Sequence, residues 1–421
     1  LHVDAVQAAG RIPLPRQADL ISLSGHKVGG LKGAGALITR EDLALQPLVF
    51  GEPQERGRRA GTENVAAAVS LAEALRVAEE RRPAEAARLA ALQKRLESAV
   101  TDLSGRILGG AAPRVSNTTL ALFEGIDGNA ARMMHEQLDD VGEARIKSMD
   151  ATGIDVQVLS HAPPGPQRLD PETAVRVSKA ANDRLRDICS AHPDRFAGFA
   201  MLPTPDPAAA ADELERCVDK LGFKGALIHG LTGAERLFID DERFWPIFER
   251  AEALDVPLYI HPAIPHPDVV DAYFKPYAKD HPGFLTAGWG FTMETATAGI
   301  RIILSGVLEK YPGTKIIMGH LGETLPFLLW RIDLALNRRG AASVPFRKLF
   351  TKHFHVTTSG FFSDPALLCC IQEMGTDRIL FAVDYPFVPQ EPGPKWMEGL
   401  MLNDTDKAKI LHGNAETLLK L

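Results

Sequence analysis

Cysteine is scarce. Four thiols, Cys189, Cys217, Cys369 and Cys370, stand among 421 residues, with no C-x-x-C pair and no spacing that a metal cage would use. Chain neighbours such as Cys369 and Cys370 rarely bond each other, so a disulfide framework is not expected and a reducing cytoplasm is. Surplus positive charge is lacking as well. A net charge of −7 and a pI near 6.0 give no field to hold a phosphate backbone, which argues against nucleic acid as a partner. No apolar run approaches the ~20 residues of a membrane-spanning helix, and no charged-then-apolar leader opens the chain. The sequence starts at Leu1, without Met and inside a strand-like run, so a preceding segment is expected. What is present is ordinary for a globular protein: 45% hydrophobic and 24% charged residues, with length enough for two or three domains.

The chain changes rhythm partway. Residues 1–128 carry strand-like and loop patterns, then an Ala/Arg/Glu-rich stretch from Ala66 to Leu103 spaced as one long helix, with a break expected near Pro83. From about Glu136 onward, and so over a second domain at 129–421, short apolar runs alternate with amphipathic helical stretches, the pattern of repeated βα units and a parallel sheet. Seven runs are predicted as strands: 154–160, 196–202, 225–230, 256–262, 315–320, 354–360 and 379–387. Helices are expected at 171–192, 207–221, 244–254, 295–311, 324–337 and 365–374. A (β/α)₈ barrel of the TIM type has eight strands, because closure removes both exposed edges, so this α/β pattern is one strand short.

Polar residues able to bind a metal or move protons end several of these runs, which is where barrel enzymes place their active sites. "VPLYIHP" ends in His261, "KIIMGHLGE" in His320 and then Glu323, and "RILFAVDYP" in Asp384. Each alone has a structural reading, a satisfied histidine or an Asp capping a turn. Together, two imidazoles and two carboxylates at one rim point to a metal or a substrate that organises them.

The phrases "DVPLYIHP", "TAGWGFTMETA", "RIILSGVLEKYP", "IIMGHLGETLPFLLWRID", "HVTTSGFF" and "DRILFAVDYPF" resemble the amidohydrolase-superfamily decarboxylases. That group includes the γ-resorcylate, dihydroxybenzoate and aminocarboxymuconate semialdehyde decarboxylases. "SMDATGIDVQVLS" and "AHPDRFAGFAMLP" carry the likeness to the early part of the barrel. The resemblance implies a divalent metal, Zn or Mn, held by His261 and Asp384. It also implies proton movement by Asp384 and by His320 with Glu323, a small aromatic carboxylic acid facing Arg331 and Phe291, and a homo-oligomer. The family's first strand ends in a His-x-His or Glu-x-His pair, and nothing like it precedes Glu136. Glu124, in a strand-like "TTLALFEG", is one stand-in; His135 and His161 are others, and His229, which ends the run "GALIHG", is a candidate to support the ligands or face the substrate.

The opening phrases "HVDAVQAAGRIPL", "ADLISLSGHKVGGLKGAGALI" and "GEPQERGRRAGTENVAAAVSLAEAL" resemble the class V aminotransferase-fold cysteine desulfurases, so 1–128 reads as a fragment of a PLP-dependent transferase fold. By that likeness Lys27 would carry pyridoxal phosphate (PLP) as a Schiff base, Asp4 would pair with the pyridine nitrogen and Gln7 with the phenolic oxygen. Ser24 and His26 would hold the phosphate, and Thr62 the phosphate of a partner subunit. The family's phosphate loop, stacking His and nucleophilic Cys loop have no counterpart, so no desulfurase activity is expected. Several functions stay open at this point: a metal-dependent non-oxidative decarboxylase impaired by its missing ligands, a metal-dependent hydrolase, a PLP-binding module, or an inactive fusion of two fragments.

Overall fold

The structure, a computed structural model, describes residues 1–102, 105–123, 128–338 and 343–421. The chain divides into two compact units, 1–128 and 129–421.

In the first unit, β1 (His2–Asp4) runs parallel to β2 (Leu20–Ser24), and β3 (Gly35–Thr39) lies antiparallel on the other side of β2. A 38-residue helix, Val65–Asp102, follows. It runs through Pro83, where a break was expected. Proline deletes one backbone bond and crowds the preceding turn, a local cost of about 3 kcal/mol. The stretch of good helix formers on both sides absorbs that cost, helped by Arg76–Glu80, Arg82–Glu79 and Arg88–Glu85 at helical spacing. The hairpin β4 (Arg106–Leu108) and β5 (Leu120–Leu122) closes the unit. The "TTLALFEG" run is therefore a strand of this unit, and Glu124 lies outside the described residues. Ala5, Ala9 and Leu23 form a small core here, while Leu48 and Phe50 stay 94% and 83% exposed.

The second unit is built from parallel strands in chain order, β6 (Gln157–Leu159), β7 (Phe196–Gly198), β8 (Ala200–Met201), β9 (Ala226–His229), β10 (Pro257–His261), β11 (Lys315–Met318), β12 (Phe354–Thr357) and β13 (Ile379–Leu380). The single run expected at 196–202 is two short strands. It pairs with β6 through β7 and with β9 through β8, and the crossover is marked by Phe199 donating its N–H to the Leu159 carbonyl and Ala200 to that of Gly225. Counting that run as one, seven of eight barrel positions are filled. Among the described residues no strand pairs with the outer side of β6 or of β13, so the parallel array does not close. Helix Glu143–Thr152, which leads into β6, reaches across to the segment after β13: Ser148 and Thr152 hydroxyls meet Gln390, and the Arg145 guanidinium lies 4.8 Å from the Tyr385 ring centre.

Helix starts follow local chemistry. Asp170 and Asp206 each accept an N–H three residues on, from Thr173 and Ala209, and each precedes a proline that fits the first helical turn. The helix expected at 295–311 begins earlier, at Gly290, and ends at Leu304, with Val307–Lys310 as a separate turn. Among the described residues no helix is long and apolar enough to cross a membrane. Side-chain alternation then sorts the sheet into two layers. Ala226, Ile228, Leu258, Ile260, Ile316, Met318 and Val356 pack against the helices, while Phe199, Leu227, Tyr259, Ile317 and Leu380 fill the inner side with Leu418 and Leu419 beneath them. Phe350, fully buried, stacks on Phe354 at 4.6 Å between ring centres. Phe350→Ala should cost about 3–5 kcal/mol of unfolding free energy in urea titration; a loss below about 1 kcal/mol would show that this stack does not hold the helix layer.

Candidate active site

The residues that alternation turns inward end, at the C-terminal edge of the sheet, in polar groups. His229 and His261 are register partners on β9 and β10. Beyond the strands the backbone turns through left-handed residues: Gly230 after β9, Ser359 and Gly360 after β12, and Asp384 after β13 at φ 65°. After β11 the departure is longest, with His320, Leu321, Gly322, Glu323 and Thr324 all at positive φ. Such a run costs on the order of 1–2 kcal/mol per non-glycine residue and persists only where its surroundings hold it. Gly322 is required there, since a Cβ would come within 2.9 Å of Pro326 and Val356.

That turn folds His320 back onto Glu323. His320 Nδ1 donates to Glu323 Oε1 at 2.5 Å, and the Thr292 hydroxyl donates to Oε2 at 2.7 Å. Glu323 is 2% exposed. Asp384 Oδ2 lies 3.9 Å from His320 Nε2. Burial opposes a charge on His320, but the adjoining carboxylates Asp384 and Glu323 outweigh it and push the imidazole up to about 10, so it is a cation at neutral pH.

A second imidazole pair stands beside the first. The His161 carbonyl can only accept, so His229 donates to it through Nε2 at 3.0 Å and turns its Nδ1 lone pair to His261 Nδ1, also 3.0 Å away. His261 Nδ1 therefore carries the proton, shared with the Pro262 carbonyl at 2.8 Å, and Nε2 keeps its lone pair. Burial and the neighbouring His261 push His229 down to about 3, and burial lowers His261 as well, so both rings are neutral. Under them the buried Tyr259 hydroxyl meets Thr357 at 3.1 Å and Ser359 at 3.0 Å.

Of the residues singled out in the sequence, His261 ends β10, His320 and Glu323 follow β11 and Asp384 follows β13, and the last three are joined by direct contacts. Phe291 is half-buried and precedes Thr292, which holds Glu323. Arg331 is on an exposed position of helix Leu325–Leu336, and among the described residues no hydrogen bond or ion pair ties it to the strand ends. His135 is exposed on helix Gly128–Asp139, while His161 lies beside His229. In the first unit Asp4 and Ser24 end parallel neighbours β1 and β2; Asp4 accepts the Val6 N–H, and the Ser24 hydroxyl meets His26 Nδ1 at 3.0 Å. Lys27 follows in the same turn, Gln7 offers its carbonyl to Arg11, and Thr62 is in an exposed loop. Thr292, Tyr259, Thr357 and Ser359 were not foreseen. The signal for Tyr259 was there, two residues before His261 on the same strand face.

The amidohydrolase family profile matches residues 66–421. The γ-resorcylate decarboxylase of Rhizobium sp. (strain MTP-10005) is 38% identical over 306 residues, 70% of this chain and 92% of that protein. The chain belongs to the amidohydrolase family. A dihydroxybenzoic acid decarboxylase from Polaromonas sp. JS666, solved with manganese and the inhibitor 2-nitroresorcinol, superposes with a TM-score of 0.67 at 38% identity, over 70% of this chain and 91% of that one. The first unit is similar to part of a cysteine desulfurase from Rhodobacter capsulatus, 46% identical over 133 residues, which is 31% of this chain and 35% of that protein. The chain thus spans about a third of that relative's length.

For this amidohydrolase, the divalent ion that the family implies has two donors by resemblance, His261 and Asp384. Among the described residues no group of three His, Cys, Asp or Glu side chains comes together as a cation site. Catalytic zinc sites generally have three protein donors, so the residues present do not complete a resident metal site. The His320 cation has its own signature. Its folded pKa lies above the ordinary 6.5, so the stabilisation from its pairing is complete below pH 6.5 and is lost as pH rises towards about 10. Glu323→Gln should weaken that pH dependence, read as the change in urea midpoint from about pH 6 to about pH 10; a variant whose midpoint falls as steeply as the parent's would contradict the pairing.

Proposed function

We infer that the second unit is the catalytic scaffold of a metal-dependent non-oxidative decarboxylase acting on a small aromatic carboxylic acid. The observation that carries this reading is the His320–Glu323–Asp384 contact at the strand ends, in a chain that is 38% identical to a γ-resorcylate decarboxylase across 92% of its length.

The chemistry follows from charge. The His320 imidazolium attracts the anionic acid into a site that otherwise carries carboxylates, and Glu323, clamped by Thr292, holds the ring in place. The proton goes to the ring carbon that bears the carboxylate, from His320 directly or by way of Asp384. The carbon–carbon bond then breaks, its electron pair restores the aromatic ring, and carbon dioxide leaves. His320 regains its proton from solvent. A divalent ion, held by His261 and Asp384, would supply Lewis-acid charge to the substrate's oxygens. Because its donor set among the described residues is incomplete, none of the steps above is routed through it. The four free cysteines fit the reducing, cytoplasmic setting of this reading, and a homo-oligomer belongs to it through the family resemblance.

The test is release of carbon dioxide from γ-resorcylate, with and without added manganese. Activity is expected, and His320→Ala should lower it by roughly 10²–10⁴-fold. Purified protein should hold less than one equivalent of metal by elemental analysis. Turnover that His320→Ala leaves unchanged would overturn the assignment, and a full equivalent of tightly held metal would overturn the incomplete donor set.

For the first unit, the desulfurase resemblance assigns Lys27 to PLP, with Asp4, Gln7, Ser24, His26 and Thr62 around it. A fragment spanning 35% of that relative is expected to form no internal aldimine. A new visible absorbance on adding PLP, lost in Lys27→Ala, would restore the cofactor reading.

A further inference from the structure

Arg145 has no role in the site described above. It lies on helix Glu143–Thr152 and is 5% exposed, so little water offsets its charge. Its Nη2 donates to the Gln137 carbonyl at 2.9 Å, its Nε is sealed without a partner, and among the described residues no carboxylate forms an ion pair with it. A guanidinium does not shed its proton to escape such a place. What faces the cation instead is the Tyr385 ring, with 4.8 Å from the guanidinium carbon to the ring centre, and Tyr385 is the next residue after Asp384. The planar guanidinium stacks on an aromatic face, and the attraction strengthens where water is excluded.

That contact is one of three made by a single helix face, since Arg145, Ser148 and Thr152 stand at i, i+3 and i+7. Thr152 donates its hydroxyl to Gln390 Oε1, and Gln390 Nε2 donates to the Ser148 hydroxyl, both at 3.4 Å. Gln390 is 3% exposed. Between these two anchors, at 385 and 390, the chain turns on the Val388 N–H, which donates to the Asp384 carbonyl at 3.0 Å. Upstream, Ala382 is tied to the end of β12 through the Thr358 hydroxyl. Asp384 lies between the two holdings at φ 65°, a left-handed conformation that persists where its surroundings enforce it. No described strand stands between β6 and β13, and on that side the helix supplies the support for the turn.

We propose that Arg145 is a positioning residue: its guanidinium, seated on the Tyr385 ring, holds the 384–390 turn so that Asp384 stays beside His320. This rests on reading Asp384 and His320 as the proton-moving groups of an aromatic-acid decarboxylase. Helix Glu143–Thr152 acts as a strut across the open side of the array, with the two Gln390 bonds fixing the far end of the turn. Loss of the guanidinium frees the turn and lets the carboxylate drift from the imidazole, while the strands beneath keep their pairing.

The test is hydrogen–deuterium exchange of the full chain, read by mass spectrometry. In Arg145→Ala, and in Tyr385→Leu, which removes the ring face but keeps an apolar side chain, exchange across 384–390 should accelerate about tenfold while β10, β11 and β12 keep the parent's rates. Tyr385→Phe keeps the ring and should exchange as the parent does. The double variant Arg145→Ala/Tyr385→Leu should be no faster than either single one. In release of carbon dioxide from γ-resorcylate, Arg145→Ala should lower kcat on the order of 10²-fold with KM little changed, because a reacting group is misplaced. Unchanged exchange across 384–390, acceleration spread equally over β10, β11 and β12, or Tyr385→Phe behaving like Tyr385→Leu overturns the proposal. So does a kcat that keeps the parent's value while the turn is freed. If Arg145→Ala does not fold, the two Tyr385 variants decide the matter. If the parent releases no carbon dioxide, the decarboxylase reading fails, whereas the hold on the turn stands or falls by exchange alone.

Discussion

The buried contact between His320 and Glu323 organises the second unit's chemistry. Neither group would be charged there alone: a lone imidazolium or carboxylate with so little water around it would give up its charge. Paired at 2.5 Å, with Thr292 on the second carboxylate oxygen and Asp384 on the far side of the ring, the imidazole is a cation at neutral pH. The backbone bears the cost of that arrangement, in five consecutive residues held at positive φ. Tight packing of Gly322 on Pro326 and Val356 is what keeps the turn from relaxing.

The parallel strands supply the frame. Their alternation sends aliphatic side chains outward to the helices and, on the opposite face, stacks Leu227, Tyr259 and Ile317 below the rim where His229 and His261 stand. One period therefore builds the core and aims the chemistry. Among the described residues no strand stands between β6 and β13, and none supplies the metal ligands that the family resemblance would place on a first strand. The donor set and the open array are the same deficit seen twice. What the described residues bring together is an imidazole–carboxylate cluster without a full cation cage.

Much of this was legible in the sequence because it is local. An apolar run that stops at a His or Asp marks a strand end, which is how His261, His320 and Asp384 stood out, and Asp-Pro pairs at 170–171 and 206–207 marked helix starts. What was not legible depends on contacts between distant segments. The Tyr259 hydroxyl meets Thr357, 98 positions later, and Thr292 meets Glu323 across 31. The long helix defeated the Pro83 rule because the propensity of its flanks outweighed one lost backbone bond. Arg331 follows Glu323 by eight residues, yet its helix leaves it exposed, a matter of rotation about an axis that spacing from the motif did not reveal.

The central claim, that the carboxylates of Glu323 and Asp384 hold His320 as a cation, is tested most directly by nitrogen-15 NMR of the histidine side chains in the intact chain at about pH 8. The account predicts a doubly protonated His320 ring there, with both nitrogens in the imidazolium range, while His229 and His261 are neutral. A neutral His320 at that pH would contradict it.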